Sequence, residues 1–464
     1  MKIVLIKPHS SAISPQIVPP LGLMYLSAVL KRAGYKNVSL IHMDADDLNE
    51  AETVDKVFAL KPDLVGLSSI TSESHCLYAL SGKIKNVLNN VRVVAGGPHP
   101  TAYVEDCLKN GAIDIVVKGE GEETLLEIVR TIEKKEPPGM IKGISYKENG
   151  VILHNPPREY VSDIDQLPYP DWAAVNIDAY KRFIPQSPFM YQRKYMTIFT
   201  SRGCPFYCTY CHNVMGKSFR AHSVNRVFDE VSYLHNKYGI RHIAIIDDIF
   251  NWDRARALAI MQRIADSEMK LAIHFANGIK GDLLDEEQIK IFAKAGLSFT
   301  CVAVETGSMR LQKKIKKGID FPKIRKNIAL LSKHRVFVNG YFIIGFPGET
   351  FKEVLLTIWF ACTSKLHTAS FFVYHAYKGT ELGDDLSGEI VSKVQNSASS
   401  YTTSSDFVNC SSLSKSAIVF LRQFANICFY GNPVRVFRIL RDLPDYGAFY
   451  VLLKKLIHRT ILLK

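Results

Sequence analysis

Three cysteines in one short stretch are the residues of this chain best suited to cofactor chemistry. Cys204, Cys208 and Cys211 lie in the segment CPFYCTYC, separated by three and then two residues. Thiolates so close in sequence can bind one metal centre, and sulfur ligands suit iron–sulfur clusters or zinc. A structural zinc site needs a fourth ligand, and the nearest candidate, His212, directly follows Cys211 and is poorly placed. A cubane cluster with three protein ligands would instead keep one iron open for a substrate.

The same segment resembles the motif of the radical S-adenosylmethionine enzymes. That motif has the same cysteine spacing and an aromatic residue just before the last cysteine, which is Tyr210 here. The resemblance implies that Cys204, Cys208 and Cys211 bind a [4Fe–4S] cluster. It also implies that S-adenosylmethionine binds at the open iron, beside Tyr210.

The elements after Tyr195 must position this loop. Apolar runs of strand length alternate with helical patterns, and six strand–helix units predict an open, partial (β/α)6 barrel. The cysteine loop follows the first of these strands. It would therefore lie at the carboxyl face, where barrels of this kind carry their active sites.

The later strands end in polar or glycine residues at that same face. Asp247 and Asp248 end the second strand, Glu305 the fourth and Gly345 the fifth. Carboxylates can bind an ammonium group or a ribose diol, and glycine admits an adenine edge. The segments VETGS, IIGFPGET and YKGTEL resemble strand-end motifs of the family. The resemblance implies that Asp247 or Asp248 contacts the methionine amine and Glu305 the ribose; each could instead be a turn or capping residue.

Residues 1–135 show the same alternation of short apolar strands and helices. This alternation predicts a doubly wound, Rossmann-like parallel sheet, whose ligands bind at the carboxyl ends of the strands. No G-x-G-x-x-G follows the first strand, which disfavours a dinucleotide. The candidate ligand-binding residues at the strand ends are Ser68, Ser69, Gly96, Gly97, Pro98, Gly119, Glu120 and Gly121.

This N-terminal pattern resembles the cobalamin-binding domain that precedes many radical S-adenosylmethionine domains. The resemblance rests on PPLGLMYLSAVLKRAGY, DLVGLSSIT, VVAGGPHPT and VVKGEGEETL. The cobalt-ligating motif D-x-H-x-x-G is absent from the sequence. We therefore expect cobalamin to be bound without that histidine, and His9, His42 and His99 to be loop or packing residues.

The sequence predicts four segments. They are a cobalamin-binding domain (1–135), a proline-punctuated linker that docks it on the next domain (136–190), a radical S-adenosylmethionine domain (191–380) and a helical C-terminal region (381–464). A hairpin is expected within the linker, around Asn149-Gly150. The predicted fold class is thus α/β with an α-helical C-terminal region.

Composition and cysteine usage agree with a folded cytoplasmic protein. The 464 residues are 47% hydrophobic and 22% charged, and the six cysteines outside the cluster are scattered. Such scatter predicts no disulfide framework and a reducing compartment. The sequence shows neither a signal-peptide pattern nor an apolar run long enough to span a membrane.

The chain is basic, with a formal net charge of +13. Its last fifty residues contain nine Lys or Arg and two Asp. A basic end of this kind suits an acidic substrate, nucleic acid or a membrane surface, or is simply a solvated face. The predicted C-terminal helices would pack across the barrel mouth or make a peripheral membrane contact.

The family resemblance implies a cobalamin-dependent enzyme, most simply a methyltransferase. A 5′-deoxyadenosyl radical would remove hydrogen from an unactivated carbon of a small-molecule or lipid-like intermediate, and methylcobalamin would supply the methyl group. An external electron donor such as flavodoxin or ferredoxin would be required. The alternatives are a non-methylating cyclase or rearrangement enzyme resembling the anaerobic magnesium-protoporphyrin ester cyclase, an RNA-modifying enzyme and a non-catalytic corrinoid sensor. Nucleic acid is not an expected partner, because the sequence has no second cysteine cluster or RNA-binding module.

Overall fold

The computed structural model describes residues 1–10, 17–110, 112–183, 185, 187–386, 390 and 407–460. They divide into two compact units. The N-terminal unit comprises Met1–Tyr180 together with Val214–Gly216, and the second unit comprises the rest of the chain.

The N-terminal unit is built on a seven-stranded sheet. Its strands are β1 (Ile3–Lys7), β2 (Val38–His42), β3 (Leu64–Ser68), β4 (Arg92–Gly96), β5 (Ile115–Val117), β6 (Ile144–Glu148) and β7 (Val151–His154). The order is β2-β1-β3-β4-β5-β6-β7, and the neighbours from β2 to β5 pair in parallel. The chain reverses its direction of growth between β1 and β3, which is where doubly wound sheets of this order bind ligands.

Helices cover both faces of this sheet. They are α1 (Leu21–Arg32), α2 (Met43–Asp46), α3 (Glu50–Leu60), α4 (Ser74–Val87), α5 (Pro98–Ala102), α6 (Val104–Asn110) and α7 (Glu122–Lys134). Apolar residues of α1 and α7 form one core with one face of the strands, and residues of α3, α4 and α6 form the other. The predicted doubly wound domain is confirmed, although the short helices α2, α5 and α6 and the longer α3 had not been predicted.

The hairpin expected near Asn149 extends this sheet. Strands β6 and β7 pair antiparallel, and β6 pairs antiparallel with β5. Asn149 and Gly150 have φ values of 50° and 80°, as a two-residue type I′ turn requires. The compact unit continues to Tyr180, so the hairpin belongs to it; the boundaries at residues 135 and 190 remain predictions.

The second unit contains a six-stranded parallel sheet in sequence order. Its strands are β8 (Tyr195–Ile198), β11 (His242–Ile245), β12 (Ala272–Ile279), β13 (Leu297–Glu305), β14 (Phe337–Ile344) and β15 (Thr368–Val373). The helices beside them are α8 (Val224–Tyr238), α9 (Arg254–Ala265), α10 (Glu286–Lys294), α11 (Met309–Lys314), α12 (Phe321–Lys333), α13 (Phe351–Thr363) and α14 (Glu381–Asp384). The six strand–helix units predicted for the central domain are confirmed.

Two very short strands enclose the cysteine loop. Strands β9 (Ser201–Arg202) and β10 (Arg220–Ala221) pair antiparallel, with Arg202 opposite Arg220. The loop of residues 203–219 therefore leaves and returns at one place, just beyond the carboxyl end of β8. This location agrees with the position predicted for the cluster.

Three helices follow at the C-terminus. They are α15 (Lys415–Tyr430), α16 (Pro433–Asp442) and α17 (Tyr446–Thr460). Helix α15 packs against α13 and β15, and a Cβ atom on Gly345 would lie 3.4 Å from Cδ1 of Ile418. Much of the segment between α14 and residue 407, predicted as the start of the C-terminal region, lies outside the described residues, as do residues 461–464.

Candidate active site

Backbone hydrogen bonds hold the cysteine loop in place. The N–H of Thr209 donates to the carbonyl of Ile315 (3.1 Å), and the carbonyl of Thr209 accepts from the N–H of Leu382 (2.7 Å). The Lys217 ammonium donates to the Phe206 carbonyl (2.7 Å). The loop conformation thus depends on main-chain contacts with α11 and α14 rather than on the thiols themselves.

The three cysteines of this loop are all free thiols. Cys204 and Cys208 are half-buried and Cys211 is exposed, and each lies close enough to the others for their charges to interact. Burial raises the pKa of the Cys204 thiol. Within the described part of the chain, no three His, Cys, Asp or Glu side chains are arranged to bind a single metal ion. Three unpaired thiols on one fixed loop nevertheless form the donor set that a three-ligand iron–sulfur cluster uses.

Tyr210, Glu305 and Lys317 form a buried polar group beside these thiols. The Tyr210 hydroxyl donates to Oε1 of Glu305 (2.9 Å), and Nζ of Lys317 lies 3.4 Å from the same oxygen. Glu305 is 6% exposed and has a φ of +66° at the end of β13. A non-glycine residue rarely adopts this left-handed backbone, and such strain concentrates at functional sites. The strand end therefore aims Glu305 at the aromatic residue of the cysteine loop.

We expect replacement of Lys317 by methionine to destabilise the protein by about 3 kcal/mol, because Glu305 would keep a buried charge without its counter-ion. Chemical denaturation of the cofactor-free protein would measure the loss. Lys317→Arg, the matched control, should retain most of the stability, and Glu305→Gln combined with Lys317→Met should recover part of it. A loss below about 1 kcal/mol, typical of exposed ion pairs, would show that the pair is not a buried one.

The adjacent residues Asp247 and Asp248 have different environments. The Asp247 carboxylate is 2% exposed and accepts three hydrogen bonds, from the N–H of Thr200 (2.6 Å), its hydroxyl (2.5 Å) and the Ser201 hydroxyl (2.6 Å). Asp248 is exposed, and its carboxylate accepts from the N–H of Gly203. Asp247 thus connects the ends of β8 and β11, whereas Asp248 remains accessible next to the cysteine loop.

Gly345 lies in a tight turn after β14. Its φ is +91°, and its N–H donates to Oε2 of Glu349 (2.6 Å). Glu349 is fully buried, and its other carboxylate oxygen has no hydrogen-bond partner among the described residues. Burial raises the pKa of the Glu349 carboxyl to about 7. The glutamate therefore fixes the turn from inside, and Gly345 is held at the carboxyl edge of the sheet.

In the N-terminal unit, Gly97 packs tightly against the end of β3. Its φ is +95°, and a Cβ atom there would lie 2.9 Å from Oγ of Ser68 and 3.0 Å from the carbonyl oxygen of Ser69. Ser69 is buried, and its hydroxyl has no hydrogen-bond partner in the described part of the chain. Only glycine allows these two strand ends to approach so closely.

The neighbouring strand end, at Gly119 to Gly121, is half-buried. Gly119 has a φ of +75°, and its N–H donates to the Thr101 hydroxyl (3.2 Å). Glu120 accepts from the N–H of Val161 (2.8 Å), and Gly121 begins α7. Pro98 and Gly96 lie at the end of β4, beside Gly97. The predicted residues thus gather at the carboxyl edge of the sheet, where small, half-buried residues would let a large flat ligand approach the backbone closely.

Two of the three histidines near these strand ends are packing residues. His42 is 3% exposed and hydrogen-bonds the Tyr180 hydroxyl (2.9 Å), and burial lowers its pKa to about 3. His99 is fully buried and stacks on Tyr103, and burial lowers its pKa to about 4. His9 is exposed and paired with Asp44. That His9 does not bind the cobalt stays a prediction.

Family models match both units. The B12 binding domain matches residues 12–129, and the radical SAM superfamily matches residues 198–361. An uncharacterized methyltransferase, PH0819 of Pyrococcus horikoshii, is 32% identical over 97% of this chain and 96% of its own. The cytidylyl-2-hydroxyethylphosphonate methyltransferase of Streptomyces wedmorensis is 28% identical over 82% of this chain and 80% of its own.

Two further proteins show how widely this architecture is used. The anaerobic magnesium-protoporphyrin IX monomethyl ester cyclase of Rubrivivax gelatinosus is 24% identical over 84% of this chain and 71% of its own. The solved structure of the radical S-adenosylmethionine methyltransferase TsrM from Kitasatospora setae superposes with a TM-score of 0.70. That structure covers 82% of this chain and 74% of its own at 19% identity, so it supports the fold.

The chain belongs to the cobalamin-dependent radical S-adenosylmethionine enzymes. It is a radical S-adenosylmethionine enzyme of the group that includes methyltransferases. The cofactors predicted from the sequence, a [4Fe–4S] cluster, S-adenosylmethionine and cobalamin, are those of this family.

Several residues of the site were not predicted from the sequence. Lys317 lies in a short basic segment with no distinctive spacing, and Glu349 lies within the strand-end segment IIGFPGET, where its hydrogen bonds to the N–H groups of Gly345 and Phe346 had not been predicted. Thr200 and Ser201, which bind Asp247, precede the cysteines and could have been noted as polar residues at a strand end. The sequence had given no way to choose between Asp247 and Asp248.

Proposed function

We propose that this protein transfers a methyl group to an unactivated carbon of a small-molecule substrate. The proposal rests on the presence of two features in one chain. The second unit has a three-cysteine loop at the edge of its sheet, and the N-terminal unit has a doubly wound sheet whose edge is lined with glycines. When bound, the cluster and S-adenosylmethionine supply a carbon-centred radical, and cobalamin carries the methyl group.

The chain's own residues would bind and orient these groups. The three cysteines would hold the cluster, and Asp248, exposed next to the loop, would bind the ammonium group of S-adenosylmethionine. Glu305, aimed by its left-handed backbone and held by Tyr210 and Lys317, would accept from the ribose hydroxyls. Asp247 would position the segment after β8, at Thr200 and Ser201, because its carboxylate already accepts three hydrogen bonds from these residues.

The N-terminal unit would bind cobalamin at Gly96, Gly97 and Gly119 and at the polar residues beside them. These include Ser68, Ser69, Pro98, Glu120 and Gly121. The buried and unpartnered hydroxyl of Ser69 favours a ligand with hydrogen-bonding groups. An external reductant such as flavodoxin or ferredoxin would supply the electron.

The second candidate is a cyclase that uses the same cofactors without methyl transfer. It is favoured by the 24% identity to the Rubrivivax gelatinosus cyclase. One experiment distinguishes the methyltransferase from the cyclase. Fractionated small molecules are turned over anaerobically with S-adenosylmethionine that carries a deuterated methyl group. A methyltransferase forms 5′-deoxyadenosine and a labelled product, whereas a cyclase forms 5′-deoxyadenosine and an unlabelled product. If no product carries the deuterium label, the methyltransferase proposal is wrong.

A further inference from the structure

Helix α16 buries the side chains of Arg435 and Asp442 and exposes most of its apolar residues. The Arg435 guanidinium is buried and donates to the carbonyls of Phe429 (2.6 Å) and Cys362 (2.7 Å). The Asp442 carboxylate is fully buried and lies 3.0 Å from Nε2 of His367. The outward residues of α16 are Val434, Val436, Phe437 and Leu440. An amphipathic helix normally has the opposite orientation, so this helix presents an apolar face to its surroundings.

The helices next to α16 expose apolar stripes as well. On α15 the exposed residues follow the i, i+4, i+7 spacing of one helix face: Phe420, Phe424 and Ile427. On α17 they follow i, i+3, i+4, i+7: Tyr446, Phe449, Tyr450 and Leu453. On α13 they are Phe351, Leu355, Leu356 and Trp359. Apolar stripes with this spacing are normally buried against another part of the protein.

These four helices are neighbours in the second unit. Helix α15 packs against α13 and α16, and residues of α16 and α17 share one apolar cluster, in which Ala448 packs near Ile439. We call the outward residues just named the C-terminal apolar face. Monomeric proteins rarely expose this many large apolar side chains together without a binding role.

The charge around this face indicates what covers it. The last fifty residues contain nine Lys or Arg, two Asp and no Glu, and two of the basic residues, Arg422 and Arg435, are buried. Asp442 pairs with His367 and with Arg441, and Asp445 pairs with Arg193; Lys454 is exposed on α17, and Arg441 is partly exposed on α16 although it pairs with Asp442. Phenylalanine, tyrosine and tryptophan beside basic residues are typical of helices that lie in the interface of an anionic membrane.

We propose that the C-terminal apolar face docks on an anionic lipid bilayer. The aromatic and aliphatic side chains enter the boundary between headgroups and acyl chains, and the arginine and lysine side chains bind lipid phosphates. No helix of the described residues has the length and apolarity needed to cross a membrane, so the helices lie along the surface. This proposal goes beyond methyl transfer and is tested without enzyme activity.

The test is co-sedimentation of the full chain with vesicles. One set contains phosphatidylcholine alone and the other contains phosphatidylcholine with phosphatidylglycerol. We expect binding to the anionic vesicles that weakens with added salt, as headgroup attraction requires. Phe437→Asn with Ile427→Asn should reduce partitioning about tenfold or more, since two apolar side chains that would enter the bilayer are lost. Arg441→Gln with Lys454→Gln should reduce the preference for phosphatidylglycerol.

The matched control is Phe58→Asn with Val87→Asn, an exposed phenylalanine and an exposed valine on α3 and α4 of the N-terminal unit. This control should bind vesicles like the unmodified chain. Failure to bind either vesicle, or unchanged binding by the Phe437/Ile427 variant, would overturn the proposal. A dimer in light scattering that the same variant dissociates would also overturn it, because a second copy of the chain would then cover the face.

Discussion

Replacing Cys204, Cys208 and Cys211 together by alanine is expected to remove the iron centre and to abolish formation of 5′-deoxyadenosine. The reconstituted chain should bind about four irons, as one [4Fe–4S] cluster requires, and the triple variant should bind essentially none. The variant should still fold, because the loop is held by main-chain hydrogen bonds at Thr209 and by Lys217 rather than by the thiols. Anaerobic reconstitution followed by iron analysis and product chromatography measures both losses.

Cys428→Ala is the matched control for this experiment. Cys428 is a half-buried free cysteine on α15, far from the cluster loop in sequence. Its replacement should leave the iron content and the 5′-deoxyadenosine yield unchanged. Retention of the iron centre by the triple variant would show that other residues bind it.

The second large effect is expected from Gly119→Phe, which should stop methyl transfer while preserving radical formation. A phenyl ring at this strand end would occupy the place proposed for the corrin. Gly119→Ala is the matched control, since it has the same left-handed backbone strain, of about 1–2 kcal/mol. Its added methyl carbon would lie 3.7 Å from Cε1 of Tyr160, which is ordinary contact. The two variants therefore differ in side-chain bulk and not in backbone cost.

Corrin binding, 5′-deoxyadenosine and methylated product should be measured separately in both variants. Gly119→Phe should bind little cobalamin by visible absorption, form some 5′-deoxyadenosine and yield no methylated product, whereas Gly119→Ala should retain all three outputs. Glu305→Ala, by contrast, should weaken both 5′-deoxyadenosine formation and methylation. Methylation by Gly119→Phe at the original rate would mean that this strand end does not hold the methyl carrier.

Local sequence signals mark the bounds of several helices. Ser223 and Asp285 cap the N-termini of α8 and α10, and Gly239 ends α8 in the left-handed conformation. Helix α3 had not been predicted, although Asn49 and Glu52 form a capping box that marks its start. The buried residues of α3, Thr53, Val54 and Val57, follow a helical spacing, so this pattern also indicates the helix.

The limits of sequence reasoning are clearest in the site. Asp247 and Asp248 lie in the turn after β11, so they could be distinguished only once their partners were known. The ion pair between Glu305 and Lys317 joins a strand end to the segment after α11, and no local pattern encodes it. The inverted orientation of α16 likewise depends on where the carbonyls around Arg435 lie.

The most direct test of the proposed function is the balance among three products of one anaerobic turnover. If this chain is a cobalamin-dependent methyltransferase, one S-adenosylmethionine is cleaved and a second restores the methyl group of the carrier. We therefore predict 5′-deoxyadenosine, S-adenosylhomocysteine and methylated product in equal amounts. Formation of 5′-deoxyadenosine and an altered, unmethylated substrate without S-adenosylhomocysteine would contradict the account and identify a cyclase or rearrangement enzyme instead.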